Sequence, residues 1–417
     1  MKKFLVEKSK PLSGEVCVDG SKNSALPILA AALLGESTVK LENIPDLTDT
    51  DIMCKLLKIS GAKIKRNFDD KTIEINAGNL LKEELPTEYV QKIRASFLLA
   101  APLLVRNKSV RIQMPGGCPI GIRPIDLHLK GFLKLGAKIS QCHGVIEISC
   151  EKLKGSDIHL DFPSVGATEN IIMAACFAEG ETTLTNCAVE PEIVDLAEFL
   201  SKMNCKITGA GTDTIHINGI KCAEGCCHKI IPDRIEAGTF MAAAVATRGK
   251  IKVNNVCCEH LKAVTAKLRE MNADIKENGD SITVDADRDI NSAEMKTMPF
   301  PGFPTDMQPQ LMAIFSSAKG TGVINETIFE NRFIHVSELN RMGADIKVSG
   351  SCAIVNGVSN MTGAEVTASD LRGGAGLVIA AMCAEGESII NGISNIERGY
   401  CRFDRKLCGL GAKIRLI

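Results

Sequence analysis

One cysteine lies where a thiol could take part in chemistry. The segment PGGCPIGIRPIDLHLKG places Cys118 among glycines and prolines, which favour a constrained or mobile loop over a helix or strand. A cysteine on such a loop is exposed, whereas structural cysteines are usually buried. Arg123 follows a few residues later, and a nearby cation favours the thiolate and attracts phosphate. The pattern indicates a reactive thiol beside an anion; an idle surface thiol is the alternative.

A carboxylate stands at the start of an apolar helix in FPGFPTDMQPQLM. Asp306 could cap this helix, because aspartate is frequent at helix N-termini. It could instead act as a general base toward a hydroxyl group. Taken alone, the segment favours the cap.

A lysine lies at the start of another apolar helix, in DGSKNSALPIL. Ser21, Lys22 and Asn23 would present free backbone N–H groups at the positive end of the helix dipole, which favours an anion. Lys22 would add a full charge to that site. A capped helix with an incidental solvated lysine fits the segment equally well.

Several arginines precede or open predicted helices. Arg332, Arg372 and Arg398 each stand in a loop before a helix in the C-terminal part of the chain, in FENRFIHVSEL, SDLRGGAGL and ERGYCRFDRKL. Several arginines around one site would bind a multiply charged anion. Arg94 opens the apolar run RASFLLAAPLLV, where ordinary solvation of the charge is the simpler explanation.

The elements that must position these residues are repeated. A five-residue pattern in which a helix gives way to a strand (SGAKI, LGAKI, MNCKI, MNADI, MGADI, LGAKI) recurs at intervals of 68 to 75 residues and ends at Ile64, Ile139, Ile207, Ile275, Ile346 and Ile414. Each copy also carries an earlier helix that is apolar on nearly all sides, and such helices must be surrounded by protein. The repeat predicts an α/β chain of six units.

Three units around buried helices would form one domain, so we expect two domains. The opening segment FLVEKSKPLSGEVCVDG could complete a sheet of the second domain after the chain returns. The predicted domains are therefore 22–232, which carries the Cys118 loop, and 1–21 together with 233–417. A cleft between two domains is a common ligand site.

Composition excludes several classes of protein. The net charge is −1, and no long run of one sign suggests nucleic acid as a partner. The chain begins without the apolar stretch of a secretory signal, and its apolar runs are too short to cross a bilayer, so we expect a cytoplasmic protein without a membrane partner. Most of the 17 cysteines should be reduced. One cluster could supply metal ligands, but its spacing matches no zinc pattern, and we expect no metal; its members are Cys222, Cys226, Cys227, His228, Cys257, Cys258 and His260.

The motifs together resemble the UDP-N-acetylglucosamine 1-carboxyvinyltransferase family of enolpyruvyl transferases. The resemblance extends along essentially the whole chain and includes DGSKNSALPILAAALL, PGGCPIGIRPIDLHLKG, DFPSVGATENIIMAA, PDRIEAGTFMAAA, PGFPTDMQPQ and DLRGGAGLVIAA. It implies two inside-out α/β domains, each with threefold pseudosymmetry. It also implies transfer of the enolpyruvyl group of phosphoenolpyruvate to the 3'-hydroxyl of UDP-N-acetylglucosamine, toward peptidoglycan, without a cofactor and in a monomer.

The resemblance also implies roles for individual residues. Cys118 resembles the cysteine that protonates the methylene carbon of phosphoenolpyruvate, forms a covalent adduct with it and is alkylated by fosfomycin, and Asp306 resembles the base toward the 3'-hydroxyl. Lys22, Arg123 and Arg398 match the residues that hold the phosphate and carboxylate, with Arg332 and Arg372 nearby. Contacts to the UDP-sugar would come from Asn23, Arg94, Arg123, Pro124, Ile125, Asp126, Leu127, Ser164, Val165, Gly166, Asp306 and Ile328, with Arg234 as a further arginine.

Two other functions stay open at this point. The related shikimate enolpyruvyl transferases share fold and donor, but they lack the cysteine loop and carry another arginine shortly after the lysine, where this chain has Asn23 and Ser24. A catalytically idle paralogue that binds a UDP-sugar is the second alternative. Pro119 and the glycines in LRGGAG depart from the family's usual residues, but neither change removes a reacting group.

Overall fold

The computed structural model describes residues 2–78, 84–116, 120–121 and 124–417. Helices alternate with short strands throughout. The helices are α1 (Lys22–Ala31), α2 (Thr48–Ile59), α3 (Thr87–Val90), α4 (Ala100–Asn107), α5 (Asp126–Lys134), α6 (Val165–Ala175), α7 (Pro191–Lys202), α8 (Arg234–Ala246), α9 (Lys262–Glu270), α10 (Gln308–Phe315), α11 (Val336–Arg341), α12 (Leu371–Cys383), α13 (Ile393–Ile396) and α14 (Phe403–Gly409). Short 3₁₀ helices cover Ala32–Leu34, Arg94–Leu99, Cys258–Leu261 and Thr305–Met307.

The strands are three to five residues long. In chain order they are β1 (Phe4–Glu7), β2 (Ser13–Cys17), β3 (Val39–Glu42), β4 (Lys63–Asn67), β5 (Thr72–Asn76), β6 (Ser109–Gln113), β7 (Lys138–Cys142), β8 (Val145–Ser149), β9 (Asp157–His159), β10 (Glu181–Thr185), β11 (Lys206–Thr208), β12 (Thr214–Asn218), β13 (Cys227–Lys229), β14 (Lys250–Asn254), β15 (Asp274–Asn278), β16 (Ser281–Asp285), β17 (Glu294–Lys296), β18 (Thr321–Asn325), β19 (Asp345–Ser349), β20 (Cys352–Asn356), β21 (Glu365–Thr367), β22 (Glu387–Asn391) and β23 (Lys413–Leu416).

The chain folds into two compact units, each with its own hydrophobic core. The first unit contains Met1–Asp19 and Pro232–Ile417, and the second contains most of the chain from Gly20 to Ile231. Two described loop residues, Ile120 and Gly121, are grouped with the first unit and not with the chain on either side of them.

The second unit is built from repeated sheets. Over its described residues these are β13-β3-β5-β4, β6-β8-β7 and β11-β12-β10-β9. Within each sheet the strand that carries the repeated isoleucine (Ile64, Ile139 or Ile207) lies at an edge, next to an antiparallel neighbour. Each repeat of the five-residue sequence pattern therefore corresponds to one sheet with its helices.

The first unit repeats this arrangement. Over its described residues the sheets are β15-β16-β14-β2, β17-β18-β20-β19 and β21-β22-β1-β23. The opening segment of the chain completes two of these sheets. β1 pairs antiparallel with β22 and β23, and β2 pairs parallel with β14. The chain ends therefore lie side by side.

The apolar helices predicted to be surrounded by protein are buried almost completely. Nearly every residue of α1, α6, α8, α10 and α12 is shielded from solvent. The first turns of α1, α8 and α12 nevertheless carry Lys22, Arg234 and Arg372, so these buried helices fix where those residues lie. Across the described ranges, no helix is long and apolar enough to span a membrane.

Candidate active site

The carboxylate of Asp306 lies between two arginines in the first unit. It accepts hydrogen bonds from Arg332 Nη2 at 3.3 Å and from Arg372 Nε at 3.1 Å. Asp306 belongs to the 3₁₀ helix that precedes α10, and its side chain caps neither helix in the described structure. The helix-cap interpretation is therefore wrong, and the group is held by ion pairs. Its side chain stays 27% exposed, whereas each arginine side chain is 2% exposed.

The sequence suggested that Arg372 stands in a loop before a helix. In the structure Arg372 lies in the first turn of α12. Asp370 caps this helix by accepting from the backbone N–H groups of Arg372 and Gly373, each at 3.0 Å. The same carboxylate lies 4.0 Å from Arg332 Nη1. Asp370 thus fixes the helix turn that carries Arg372 and lies at ion-pair distance from Arg332. The sequence signalled it only as an acid directly before an apolar helix.

Several nitrogens of the two arginines have no hydrogen-bond acceptor among the described residues. Among the described residues, Arg332 Nε, Arg372 Nη1 and Arg372 Nη2 are buried without a hydrogen-bond partner. Buried N–H donors are normally satisfied, and paired arginines are well suited to carboxylates and phosphates. This part of the first unit can therefore offer N–H donors to an anionic ligand.

The ring of Tyr400 lies close to the buried guanidinium group of Arg372. The guanidinium carbon of Arg372 lies 5.2 Å from the centroid of the Tyr400 ring. The Tyr400 hydroxyl is 2.9 Å from Thr239 Oγ1 and accepts from Gln310 Nε2 at 3.1 Å. Burial alone would lower the pKa of Arg372, but Tyr400 and Asp306 outweigh it and the pKa is raised. The side chain therefore stays a cation.

A buried histidine packs beside the arginines. Burial lowers the pKa of His335 to about 4, and the opposing effect of the Asp370 carboxylate does not offset it. His335 is thus neutral near pH 7 and adds no charge to the pair of arginines.

Glu326, another buried acid that sequence reasoning missed, fixes the turns next to Asp306. Its Oε1 accepts from Thr297 Oγ1 and the Ile328 backbone N–H, each at 2.9 Å, and its Oε2 accepts from Thr305 Oγ1 at 3.0 Å. The only sequence signal is an acid that directly follows β18. Through these bonds the turn that carries Asp306 and the half-buried Ile328 are held together.

The two remaining predicted residues of the first unit lie in half-buried positions near helix ends. Arg398 follows α13 in the turn that leads to Tyr400. Arg234 is the first residue of α8, and its guanidinium carbon lies 5.5 Å from the Phe300 ring centroid.

In the second unit, Lys22 and Asn23 are the first residues of α1, as predicted. Ser21 caps the helix by accepting from the Ser24 backbone N–H at 3.3 Å. The Lys22 ammonium group donates to Asp49 Oδ2 at 3.4 Å, and the lysine side chain is only 11% exposed. The incidental solvated lysine of the alternative interpretation is therefore wrong.

Arg94 opens the 3₁₀ helix Arg94–Leu99, and α1 packs against this element. Arg94 Nη2 donates to the Pro124 carbonyl at 3.2 Å. Pro124 and Ile125 lead into α5, whose first residues are Asp126 and Leu127. The structure therefore brings Arg94 and the predicted segment after Arg123 together.

Ser164, Val165 and Gly166 form the start of α6 beside α5. Ser164 caps α6 by accepting from the Ala167 N–H at 3.4 Å. A Cβ atom on Gly166 would lie 3.1 Å from His128 Cε1, and one on Gly131 would lie 2.3 Å from Ile171 Cγ1. The two glycines allow α5 and α6 to approach closely, which places this second predicted segment next to the first.

His128 joins these segments. Asn170 Nδ2 donates to His128 Nδ1 at 2.8 Å and also to the Phe97 carbonyl at 3.1 Å. Burial, with a smaller contribution from the charge of Arg94, lowers the pKa of His128 to about 3. The ring is therefore neutral, with its proton on Nε2.

The buried His128 should make the folded protein sensitive to acid. Because its folded-state pKa is about 3 and the ordinary pKa of histidine is 6.5, the stabilisation is complete above pH 6.5 and is lost as pH falls toward 3. We expect His128→Gln to reduce the loss of unfolding free energy between pH 6.5 and about pH 4 by about 3 kcal/mol. Urea unfolding at several pH values measures this. The exposed His159→Gln variant should keep the wild-type slope, and an identical slope for His128→Gln would contradict the prediction.

Cys118 and Arg123 lie outside the described residues, so the predicted roles of the thiol and this arginine stay predictions.

His228 belongs to the cluster of cysteines and histidines that could supply metal ligands. Both ring nitrogens of His228 are engaged by other side chains, Lys202 and Asp195. Within the described ranges, no group of three or more histidine, cysteine or acidic residues could hold a metal ion.

Comparison with known proteins matches the chain along its length. A family model described as EPSP synthase (3-phosphoshikimate 1-carboxyvinyltransferase) covers residues 6–407. The chain is 53% identical over 412 residues to UDP-N-acetylglucosamine 1-carboxyvinyltransferase 1 of Caldanaerobacter subterraneus subsp. tengcongensis, covering 99% of each chain. It is 52% identical over 419 residues to UDP-N-acetylglucosamine 1-carboxyvinyltransferase 2 of Carboxydothermus hydrogenoformans, covering 100% of each.

Solved structures share the fold. The enolpyruvyl transferase NikO from Streptomyces tendae superposes with a TM-score of 0.89 at 25% identity, covering 100% of this chain and 98% of that one. An EPSP synthase from Acinetobacter baumannii superposes with a TM-score of 0.79 at 18% identity, covering 100% of both chains. The mixed α/β architecture is that of these neighbours.

Proposed function

Since the chain belongs to the UDP-N-acetylglucosamine 1-carboxyvinyltransferase family of enolpyruvyl transferases, we propose that it catalyses that reaction. It transfers the enolpyruvyl group of phosphoenolpyruvate to the 3'-hydroxyl of UDP-N-acetylglucosamine and releases phosphate, the first committed step of peptidoglycan synthesis. The observation that carries the proposal is full-length identity of 53% and 52% to relatives of that name.

The proposed donor site uses the cationic side chains. Lys22, Arg123 and Arg398 hold the phosphate and carboxylate of phosphoenolpyruvate, with Arg332 and Arg372 beside them. The buried N–H groups of Arg332 and Arg372 for which the described residues offer no acceptor support a role for these two arginines. Fixed cations would stabilise the charge that develops on phosphate as the intermediate collapses.

The proposed chemistry is an addition followed by an elimination. Asp306 removes the proton from the 3'-hydroxyl as that oxygen attacks C2 of phosphoenolpyruvate, and Cys118 donates a proton to C3, giving a tetrahedral ketal. The C2–O bond to phosphate then breaks while C3 loses a proton, which restores the double bond. The 27% exposure of the Asp306 side chain is compatible with access of a hydroxyl. The proposal requires no cofactor.

The proposed acceptor site uses polar groups of the second unit, together with Asp306, Ile328 and Arg234. The contacts that group Arg94, Pro124–Leu127 and Ser164–Gly166 support a shared ligand for these segments. Asn23 would reach the sugar from the start of α1.

We also propose that each unit is an inside-out α/β barrel of three repeats, with domains 22–232 and 1–21 plus 233–417. The three sheets described in each unit and the buried helices support this architecture. A cytoplasmic location follows from the proposed substrates.

Phosphate release tests the proposed function. We expect the protein to release phosphate from phosphoenolpyruvate with UDP-N-acetylglucosamine and not with 3-phosphoshikimate, because the residues resemble those of the UDP-sugar enzymes. Release only with 3-phosphoshikimate would favour the other branch of the family. UDP-sugar binding without any phosphate release would favour an idle paralogue.

The role of Cys118 predicts selective alkylation. Because fosfomycin is expected to alkylate this thiol, Cys118→Ser should abolish the covalent adduct that mass spectrometry detects on the wild-type protein. Cys142 is exposed, so Cys142→Ser serves as the matched control and should be labelled like wild type. An adduct of undiminished yield on Cys118→Ser would rule out the assignment.

A further inference from the structure

A buried acid holds the helix that begins with Lys22. Asp195 lies within α7 and is 2% exposed. Its Oδ1 lies 2.8 Å from Nε2 of His228, which is also 2% exposed. His228 is the histidine of the cysteine-rich segment to which the proposed function assigns no role.

The hydrogen-bond direction along this chain of groups is fixed by Lys202. Its ammonium group lies 3.0 Å from His228 Nδ1, and an ammonium group can only donate. Nδ1 therefore accepts, so Nε2 carries the ring proton and donates to Asp195. The Phe199 ring packs edge-on against the imidazole at a centroid distance of 5.6 Å. The Asp195 carboxylate is thus oriented by a histidine that is itself held from two sides.

The other carboxylate oxygen of Asp195 is directed at α1. Oδ2 accepts a hydrogen bond from Ser24 Oγ and another, at 3.3 Å, from the Ile231 backbone N–H. The Ile231 carbonyl in turn accepts from the Ser21 N–H at 2.7 Å. Ser21 caps the helix by accepting from the Ser24 N–H. Asp195 therefore closes a ring of hydrogen bonds around the first turn of α1.

We propose that Asp195 is a positioning residue for enolpyruvyl transfer: through Ser24 and Ile231 it fixes the first turn of α1, and so the direction of the Lys22 ammonium group. This inference rests on the proposed function, in which Lys22 binds phosphoenolpyruvate. Such a position demands accuracy, because displacing a catalytic group by about 1 Å costs as much as a hundredfold in rate. A buried charged acceptor is suited to it, since hydrogen bonds to ions are shorter and stronger than those between neutral groups.

The sharpest test removes only the link between Asp195 and α1. We expect Ser24→Ala to lower kcat/KM for phosphoenolpyruvate about tenfold, because the turn bearing Lys22 loses its anchor. Ser60→Ala is the matched control, since Ser60 is equally buried in the same unit and its hydroxyl donates to the nearby Leu56 carbonyl. The control should keep wild-type kinetics.

A second measurement does not depend on turnover. Lys22 is shielded and paired with Asp49, so limited acetylation followed by mass spectrometry should modify it slowly in the wild-type protein. In Ser24→Ala, but not in Ser60→Ala, we expect Lys22 modification to rise by about threefold or more as the turn opens locally. If wild-type protein released no phosphate while this rise occurred, the proposed function would fail and the positioning role would stand.

Two variants of His228 test the network further from α1. His228→Gln keeps an N–H donor toward Asp195, whereas His228→Leu leaves the Asp195 oxygen without one. We expect Lys22 modification to rise in His228→Leu and to stay near the wild-type value in His228→Gln. Wild-type Lys22 modification in both Ser24→Ala and His228→Leu would overturn the proposal.

Discussion

Replacing Asp306 by asparagine is expected to lower kcat by about 10²–10⁴-fold, the contribution typical of a positioned general base. The substitution keeps the size of the side chain. It removes the negative charge of the carboxylate that accepts hydrogen bonds from Arg332 and Arg372. An amide also cannot take the proton of the sugar hydroxyl. Steady-state phosphate release at saturating substrates measures the effect.

The result distinguishes a base from a structural acid. An acid that acted only as the ion-pair partner of Arg332 and Arg372 would change stability when its charge is removed, and would leave kcat nearly unchanged. We therefore expect Asp306→Asn to remain folded, and to be alkylated by fosfomycin at Cys118. A kcat within about threefold of wild type would argue against proton transfer by Asp306, because even weak general-base catalysis exceeds that factor.

The repeating architecture was accessible from sequence because it depends on local patterns. The recurrence of the isoleucines at Ile64 through Ile414 marks successive edge strands, and the all-round apolar character of α8 or α12 requires burial. The sequence also suggested that the opening segment could complete a sheet of the second domain, and β1 does pair with β22 and β23. Hydrophobic periodicity carries such information without any tertiary contact.

The supporting acids of the site were not accessible in this way. Ser24 and Asp195 are 171 positions apart, and Asp306 and Arg372 are 66 apart. A buried aspartate in α7 reads in sequence like any polar residue on a helix, and His228 was grouped with neighbouring cysteines as a possible metal ligand. Only the three-dimensional contacts distinguish an acid that caps a helix from one held by two arginines.

Replacing Arg372 by lysine is expected to lower kcat/KM for phosphoenolpyruvate by about 10²–10³-fold, the cost of losing a preorganised donor to a developing charge. Lysine keeps the positive charge. Its single nitrogen cannot replace both the Nε donor to Asp306 Oδ2 and the two Nη groups, which have no acceptor within the described part of the chain. Lysine also lacks the planar group that lies over the Tyr400 ring. Initial rates over a range of phosphoenolpyruvate concentrations measure the loss.

Arg341→Lys provides the matched control, because the Arg341 side chain is 61% exposed and its ion pair is with Glu338 on its own helix. It should behave as wild type. A double-mutant cycle then separates charge from geometry: if Asp306 and Arg372 act through their ion pair on one transition state, Asp306→Asn with Arg372→Lys should lose less than the product of the single losses. Strictly multiplicative losses would mean that the two groups act independently, and that the 3.1 Å contact between them does not position the carboxylate for proton transfer.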